Sequence, residues 1–370
     1  MSVCSSLPCC IRPLSGGGTR FTCTKERSPC GMSSRRGIEM KKPANAKFLE
    51  TRGLKKYFDA GKRWIFSSKI RKVHAVDGVS LTLRRSEVLA LVGESGCGKT
   101  TLGLMLMGLE EPTDGTIFFE GRDITHLADH ERKDLRRKIQ MVFQDPYESL
   151  NPTQTVKEII SEPLHVHGIG DSHQERDERV IKALEDAGLK PAETYLTRFP
   201  HELSGGQRQR VVIAAALVLE PEIIVADEPV SMLDVSIRAE VINLLAELRI
   251  SRQIAVIFIT HDLGSVGFFA DRVAVMYLGR IVEIGTMLDV LERPQHPYTK
   301  ALLSVIPVPN PRLRHERIIL KGETPNPVEI PPGCRFHPRC PVAFDACRLS
   351  DPPMTAVSKT HQAACLLMPK

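Results

Sequence analysis

The chain of 370 residues predicts an α/β fold built on a mainly parallel sheet. Two observations carry that prediction. Val88-Leu89-Ala90-Leu91-Val92, Ile139-Gln140-Met141-Val142-Phe143, Ile223-Ile224-Val225-Ala226 and Ile254-Ala255-Val256-Ile257-Phe258-Ile259 are short, mostly apolar runs separated by longer helix-period segments, the pattern of strands covered on two sides. In addition, Gly93-Glu94-Ser95-Gly96-Cys97-Gly98-Lys99-Thr100 fits G-x-x-x-x-G-K-[ST] directly after the first run and before the helical run Leu102–Leu109, the strand-loop-helix setting of a phosphate-binding loop.

Taken in order, residues 1–45 hold five cysteines and Ser15-Gly16-Gly17-Gly18 with no hydrophobic period, and read as a disordered leader. They are either an acid-poor, transit-like segment or sequence upstream of a later start, with Met32 and Met40 as candidates. Their eight Lys/Arg against two acidic residues account for the whole net charge of +6, so the remainder is balanced. A nucleic-acid-binding domain shows its basic excess in the folded part, so no nucleic-acid partner is expected. Residues 46–285 alternate apolar runs with helical segments and read as one nucleotide-binding domain. Within it, about 145–202 is polar and helical, clearest at Val156–Ile160 and Val180–Leu189, and reads as a helical subdomain. A basic insert at Gly61–Lys72 carries the only tryptophan, Trp64, and reads as a solvated surface loop. From 286 to 370 prolines multiply and cysteines return, the composition of a small irregular domain. Charge-free stretches such as Val211–Leu219 are too short for a membrane-spanning helix, which needs roughly 20 apolar residues.

The glycine loop lets the backbone wrap closely enough for its N–H groups to meet phosphate oxygens, and the helix start adds partial positive charge. Gly93, Ser95, Gly96, Cys97, Gly98, Lys99, Thr100 and Thr101 are therefore candidate ATP-binding residues. Lys99 is expected on the β- and γ-phosphates and the Thr100 hydroxyl on Mg²⁺, whereas Cys97 serves as a small residue whose backbone matters. A magnesium–nucleotide site also needs a carboxylate at a neighbouring strand end, and Asp227 closes the Ile223–Ala226 run. Glu228 stands one position further out and is the candidate general base or water-polarising group. His261, after the Ile254–Ile259 run, occupies another strand end and is a candidate γ-phosphate sensor. Leu203-Ser204-Gly205-Gly206-Gln207 then precedes an apolar helix, so a Ser hydroxyl and glycine amides form a second anion-binding terminus in the same chain.

At these residues the chain resembles the ATPases of ABC transporters. Leu203–Gln207 is similar to that family's signature motif, and with the glycine loop, Asp227-Glu228 and His261 it completes the set. The resemblance implies a P-loop NTPase: a RecA-like core with a mainly parallel sheet, an antiparallel β subdomain and a helical subdomain. It further implies that ATP is sandwiched between the loop of one subunit and Ser204, Gly205, Gly206 and Gln207 of another. Gln144 looks like the glutamine that touches magnesium and couples to a membrane partner. Ser231-Met232-Leu233-Asp234 looks like the D-loop, with Met232 where alanine is commoner and Asp234 as its acid. Tyr57, with Phe58 second, is the aromatic expected to stack on adenine.

Gln295-His296-Pro297-Tyr298-Thr299-Lys300-Ala301-Leu302-Leu303, Pro307-Val308-Pro309 and Gly333-Cys334-Arg335-Phe336-His337-Pro338-Arg339-Cys340-Pro341 resemble the tail of ATPases serving oligopeptide, dipeptide and nickel importers. That resemblance spans about residues 46–370. It implies a second ATPase subunit, two membrane permeases, an extracytoplasmic solute-binding protein, a peripheral place on the cytoplasmic face of the membrane, and peptides or a related solute as cargo. Cys334, Cys340, Cys347 and Cys365 lack the close pairs of a zinc knuckle. The resembled group carries a [4Fe–4S] cluster in this tail, which implies a structural cluster; zinc and free thiols stand as alternatives. The rival reading is a soluble ABC ATPase acting on ribosomes or DNA, for which a second cassette or a long heptad insertion would speak. A nucleotide kinase sharing only the glycine loop would leave Ser204–Gln207 without a purpose.

Overall fold

The structure is a computed structural model describing residues 47–60, 71–267, 269–306 and 317–368; the leader and Trp64 lie outside the described residues. Strands β1 (Lys47–Asp59) and β2 (Lys72–Arg84) pair antiparallel, and β3 (Val88–Val92), buried throughout, leads through the glycine loop into α1 (Lys99–Leu106). β4 (Asp114–Phe119) and β5 (Arg122–Asp123) complete a four-stranded antiparallel sheet in the order β2-β1-β4-β5. α2 (Asp129–Lys138) runs into β6 (Ile139–Val142). The expected helical subdomain follows as α3 (Pro146–Ser149), α4 (Val156–His167), α5 (His173–Asp186) and α6 (Glu193–Leu196), ending in a 3-10 turn at Pro200–Glu202. α7 (Gly205–Leu217), β7 (Ile223–Asp227), α8 (Val235–Ser251), β8 (Ala255–Thr260), α9 (Leu263–Val266), β9 (Arg272–Tyr277) and β10 (Arg280–Thr286) form the α/β layer. α10 (Met287–Glu292), α11 (Pro297–Ser304), α12 (Asp345–Leu349) and the short β11 (Thr355–Ala356) and β12 (Gln362–Ala363) close the chain.

The second sheet has the order β11-β12-β10-β9-β3-β8-β7-β6. Its part from β9 to β6 is parallel, and β10 and β12 add an antiparallel edge. Val88, Ala90 and Val92 face one core, shared with Leu184, Val211 and Leu245 of the helices. Leu89 and Leu91 face the other, shared with Leu49, Leu83 and Ile117 of the antiparallel sheet. Burial on both faces is why these strands are apolar without alternation. The register aligns the carboxyl ends: Val142 lies opposite Ala226, Asp227 opposite Ile259, and Thr260 opposite Val92. Loops leaving these ends converge on one rim, the place where open α/β sheets bind ligands.

Boundaries differ from the sequence reading by a residue or a few. Helix α1 starts at Lys99 rather than Leu102, and Phe143 falls outside β6, half-exposed. The region after 286 is packed onto the core: β12 pairs with β10, and buried Glu283 accepts from the Gln295 and His296 backbone N–H groups at 2.7 and 2.9 Å. Phe336 is fully buried, its ring 5.2 Å from Tyr277 and 5.4 Å from Tyr298. Phe336→Ala should therefore cost about 3–5 kcal/mol. A lowered denaturant midpoint at unchanged slope is the expected reading, and a loss below about 1 kcal/mol would mean the tail is only loosely docked.

Candidate functional site

The rim encloses a cavity of about 800 Å³. The glycine loop contributes Ser95, Gly96, Gly98, Lys99, Thr100 and Thr101 to its wall; Gln144 follows β6, Glu228 follows β7, and His261 follows β8. Four stretches distant in sequence thus meet because their strands are neighbours in register.

The loop's shape depends on its glycines. Gly98 has φ +104°, and a Cβ there would lie 2.0 Å from the Ala75 carbonyl oxygen; a Cβ on Gly93 would lie 2.2 Å from that of Met276. Cys97 is buried beneath the loop and burial pushes its thiol pKa up, in keeping with a residue that contributes backbone. Lys99 is buried and its Nζ donates to the carbonyls of Gly93 (2.8 Å) and Glu94 (3.0 Å), so the loop is stitched to its own lysine.

Asp227 is 4% exposed. Burial pushes its carboxyl pKa up and neighbouring Glu228 adds to this, while the Thr100 hydroxyl and the Lys99 charge oppose it. A buried carboxylate beside a hydroxyl, with its charged form penalised, is the donor set that a small oxygen-loving cation would satisfy. Asp227 and Thr100 therefore fit Mg²⁺.

Glu228 has φ +45°, a left-handed conformation that costs a side-chain-bearing residue about 1 kcal/mol or more. Its N–H donates to the Ile259 carbonyl at 2.9 Å, and Ser231 donates to its carbonyl through both N–H (3.2 Å) and hydroxyl (3.0 Å). The kink turns the side chain into the cavity. There Oε2 accepts from Gln144 Nε2 at 3.2 Å and lies 3.1 Å from His261 Nδ1. Such an arrangement can hold a polyanion against the loop and place one carboxylate, fixed from two sides, at its far end.

Ser204, Gly205, Gly206 and Gln207 do not line this cavity. Ser204 caps α7: its hydroxyl accepts from Gln207 N–H at 3.3 Å, and its N–H donates to Gln207 Oε1 at 3.0 Å. It is exposed, as is Asp234 at the start of α8. The second anion-binding terminus is thus formed and open to solvent, away from the loop of its own chain.

Tyr57 does not line the cavity. The alternation of β1 sends it and Phe58 to opposite faces, and Phe58 lines the cavity beside Val73 and Ala75. Tyr57 packs on His74 at 4.3 Å and donates its hydroxyl to Asp77 at 2.6 Å; burial and that carboxylate push its pKa up to about 12.

Cys334, Cys340, Cys347 and Cys365 form no disulfide. Burial, with smaller contributions from the other three, pushes Cys334 up to about 11. Among the described residues, however, no group of three or more Cys, His, Asp or Glu side chains is placed to hold a metal ion. The expected [4Fe–4S] site thus finds no support in this placement of the side chains.

Leu302 and Pro327 also reach the cavity, and Glu94 N–H donates to the Tyr298 hydroxyl at 2.9 Å. These C-terminal contributions escaped the sequence reading. The only signal was the tail's resemblance, which carried no role for them.

Family comparison places these features together. A model described as "ABC transporter" matches residues 76–231, and one described as "Oligopeptide/dipeptide transporter, C-terminal region" matches 282–347. The oligopeptide transport ATP-binding protein AppF of Bacillus subtilis is 49% identical over 322 residues, covering 86% of this chain and 97% of that protein. The dipeptide transport ATP-binding protein DppF of Haemophilus influenzae is 49% identical over 322 residues, covering 87% and 97%. Among solved structures, a dimeric ATP-binding cassette in a post-hydrolysis state with ADP and phosphate is 30% identical with a TM-score of 0.57, covering 65% of this chain and 98% of that one.

Proposed function

Because the chain belongs to the ABC transporter ATPases, in the branch of the oligopeptide and dipeptide transport ATP-binding proteins, we propose that it powers uptake of peptides or a related small solute through membrane permeases. It is an ATPase that works as one of two cassettes. A solute-binding protein outside the membrane and two permeases complete the proposed importer. No helix among the described residues is long and apolar enough to cross a membrane, and we place the subunit on the cytoplasmic face through its permeases. The relatives do not favour a cassette acting on ribosomes or DNA.

We assign the loop Gly93–Thr101 to the phosphates, with Lys99 exchanging its carbonyl partners for phosphate oxygens. Asp227 and Thr100 would hold Mg²⁺, with Gln144 reaching it from the opposite loop; when bound, the ion neutralises charge between the β- and γ-phosphates. Glu228 orients and deprotonates the attacking water, and Gln144 and His261 fix its carboxylate. Phe58 replaces Tyr57 as the ring we assign to adenine.

The observation that carries the reading is the separation of the two anion-binding termini. Ser204 is exposed, and none of Ser204–Gln207 lines the cavity that holds Lys99 and Glu228, so a second cassette is needed to close over the γ-phosphate. ATP then drives closure because it bridges both halves, and hydrolysis removes the bridge. Ser204→Arg should leave ATP binding to the loop within about threefold while abolishing ATP-dependent association of the cassettes, since a bulky side chain blocks the helix start. Sedimentation with and without Mg-ATP in the Glu228→Gln background measures this. Association unchanged by Ser204→Arg would refute the sandwich.

A further inference from the structure

We propose that Arg339 of the C-terminal region is a positioning residue of the phosphate-binding loop: it binds and neutralises Glu94, an acidic side chain that the loop would otherwise present to the triphosphate. The inference rests on the nucleotide-site reading above and goes beyond it by giving the tail motif Gly333–Pro341 a part in ATP binding.

Glu94 is the second residue of the loop and lines the cavity. Its carbonyl accepts from Lys99 Nζ at 3.0 Å, so any shift of Glu94 moves the lysine. A carboxylate there opposes the binding of a polyanion, because at such distances like charges repel even across partly solvated space. Three groups from the tail restrain it. Arg339 donates to Oε2 at 2.7 Å, the Thr324 hydroxyl donates to the same oxygen, and the Tyr298 hydroxyl accepts from the backbone N–H at 2.9 Å. Arg339 also donates to Thr324 Oγ1 at 3.2 Å, which makes the three side chains one network. The ion pair is sheltered, with side-chain exposures of 10% for Arg339 and 26% for Glu94, so water screens it less than a surface pair.

The supports of Arg339 are built in. Phe336, three residues earlier, is fully buried among aromatic rings, and Arg339 N–H donates to its carbonyl at 3.0 Å. Arg335 on the same turn forms an ion pair with Asp77, the residue that accepts from Tyr57. Upstream, burial holds His296 neutral, with its pKa down at about 3, and its Nδ1 accepts from Tyr298 N–H at 3.1 Å, setting the start of α11. A turn pinned by Phe336 therefore carries one arginine to β2 and another to the nucleotide loop.

The test is Mg-ATPγS binding to the purified full chain, comparing wild type, Arg339→Ala, Glu94→Gln and the double variant. Arg339→Ala should weaken binding roughly tenfold at low ionic strength, and the defect should shrink as salt screens the uncovered carboxylate. In the Glu94→Gln background the same substitution should change Kd by less than twofold, and the double variant should bind more tightly than Arg339→Ala alone. Arg339→Lys should recover part of the loss. Should Arg339→Ala not fold, Thr324→Ala decides: it removes a second donor to the same oxygen and should weaken binding by a smaller factor that also disappears with Glu94→Gln. A folded Arg339→Ala with wild-type affinity, or an equal defect in both backgrounds, would overturn the inference. A wild-type chain that binds no nucleotide would instead overturn the site itself.

Discussion

Glu228→Gln should bind Mg-ATP as tightly as the wild type and hydrolyse it about 10²–10⁴-fold more slowly, the range that a positioned general base contributes. The substitution keeps the side chain's length and one oxygen, so Gln144 Nε2, now 3.2 Å from Oε2, retains an acceptor. It removes the negative charge and with it the capacity to take a proton from water. Glutamine tolerates φ +45° about as well as glutamate, and the restraints from Ile259 and Ser231 act on the backbone, so the fold should not change. Affinity survives because the phosphate contacts come from the loop, and losing a carboxylate at the γ-phosphate end lowers repulsion there. ATP-bound, associated cassettes should therefore accumulate. Single-turnover hydrolysis with the subunit assembled on its permeases is the measurement, and a wild-type rate would remove Glu228 from the role of base.

What could be read in the sequence was what is local. Val88–Val92 followed by the glycine loop announces strand, turn and helix within about twenty residues, and doubly buried strands have a compositional mark that survives without an alignment. Asp227, Glu228 and His261 were legible because each directly follows such a run, and the register Asp227 to Ile259 and Thr260 to Val92 then brings them together. Tyr57 and Phe58 mark one limit. Alternation says that adjacent residues face opposite ways, but which of them lines the cavity depends on Asp77, on another strand, capturing the tyrosine hydroxyl. The tail marks the other limit. Tyr298, Thr324 and Arg339 meet Glu94 across separations of 204, 230 and 245 residues, and Thr324 and Arg339 stand outside any helix or strand whose period could be projected onto a face. The cysteine spacing likewise suggested ligands without saying whether the thiols meet the geometry of one metal site, and among the described residues no group is placed to do so.

Lys99→Ala should have the opposite kinetic signature: ATP affinity falls by about 10²-fold or more, roughly 3 kcal/mol, and ATP-dependent association is lost with it. Lys99 is 5% exposed, and its ammonium is held by the Gly93 and Glu94 carbonyls, partners that phosphate oxygens would outcompete by carrying full charge. Truncation removes the only cation on the loop itself and leaves those two carbonyls turned toward an anion, so ground-state binding suffers directly. Lys99→Arg should not rescue it, because a planar guanidinium does not fit where a compact ammonium is enclosed by the loop's own backbone. The pair of variants then separates binding from chemistry: Glu228→Gln closes without turning over, and Lys99→Ala neither binds nor closes. Calorimetric titration with Mg-ATPγS gives the decisive number. A Kd within threefold of wild type for Lys99→Ala would mean that the glycine loop is not the phosphate cradle, and every step that depends on closure around it would fail.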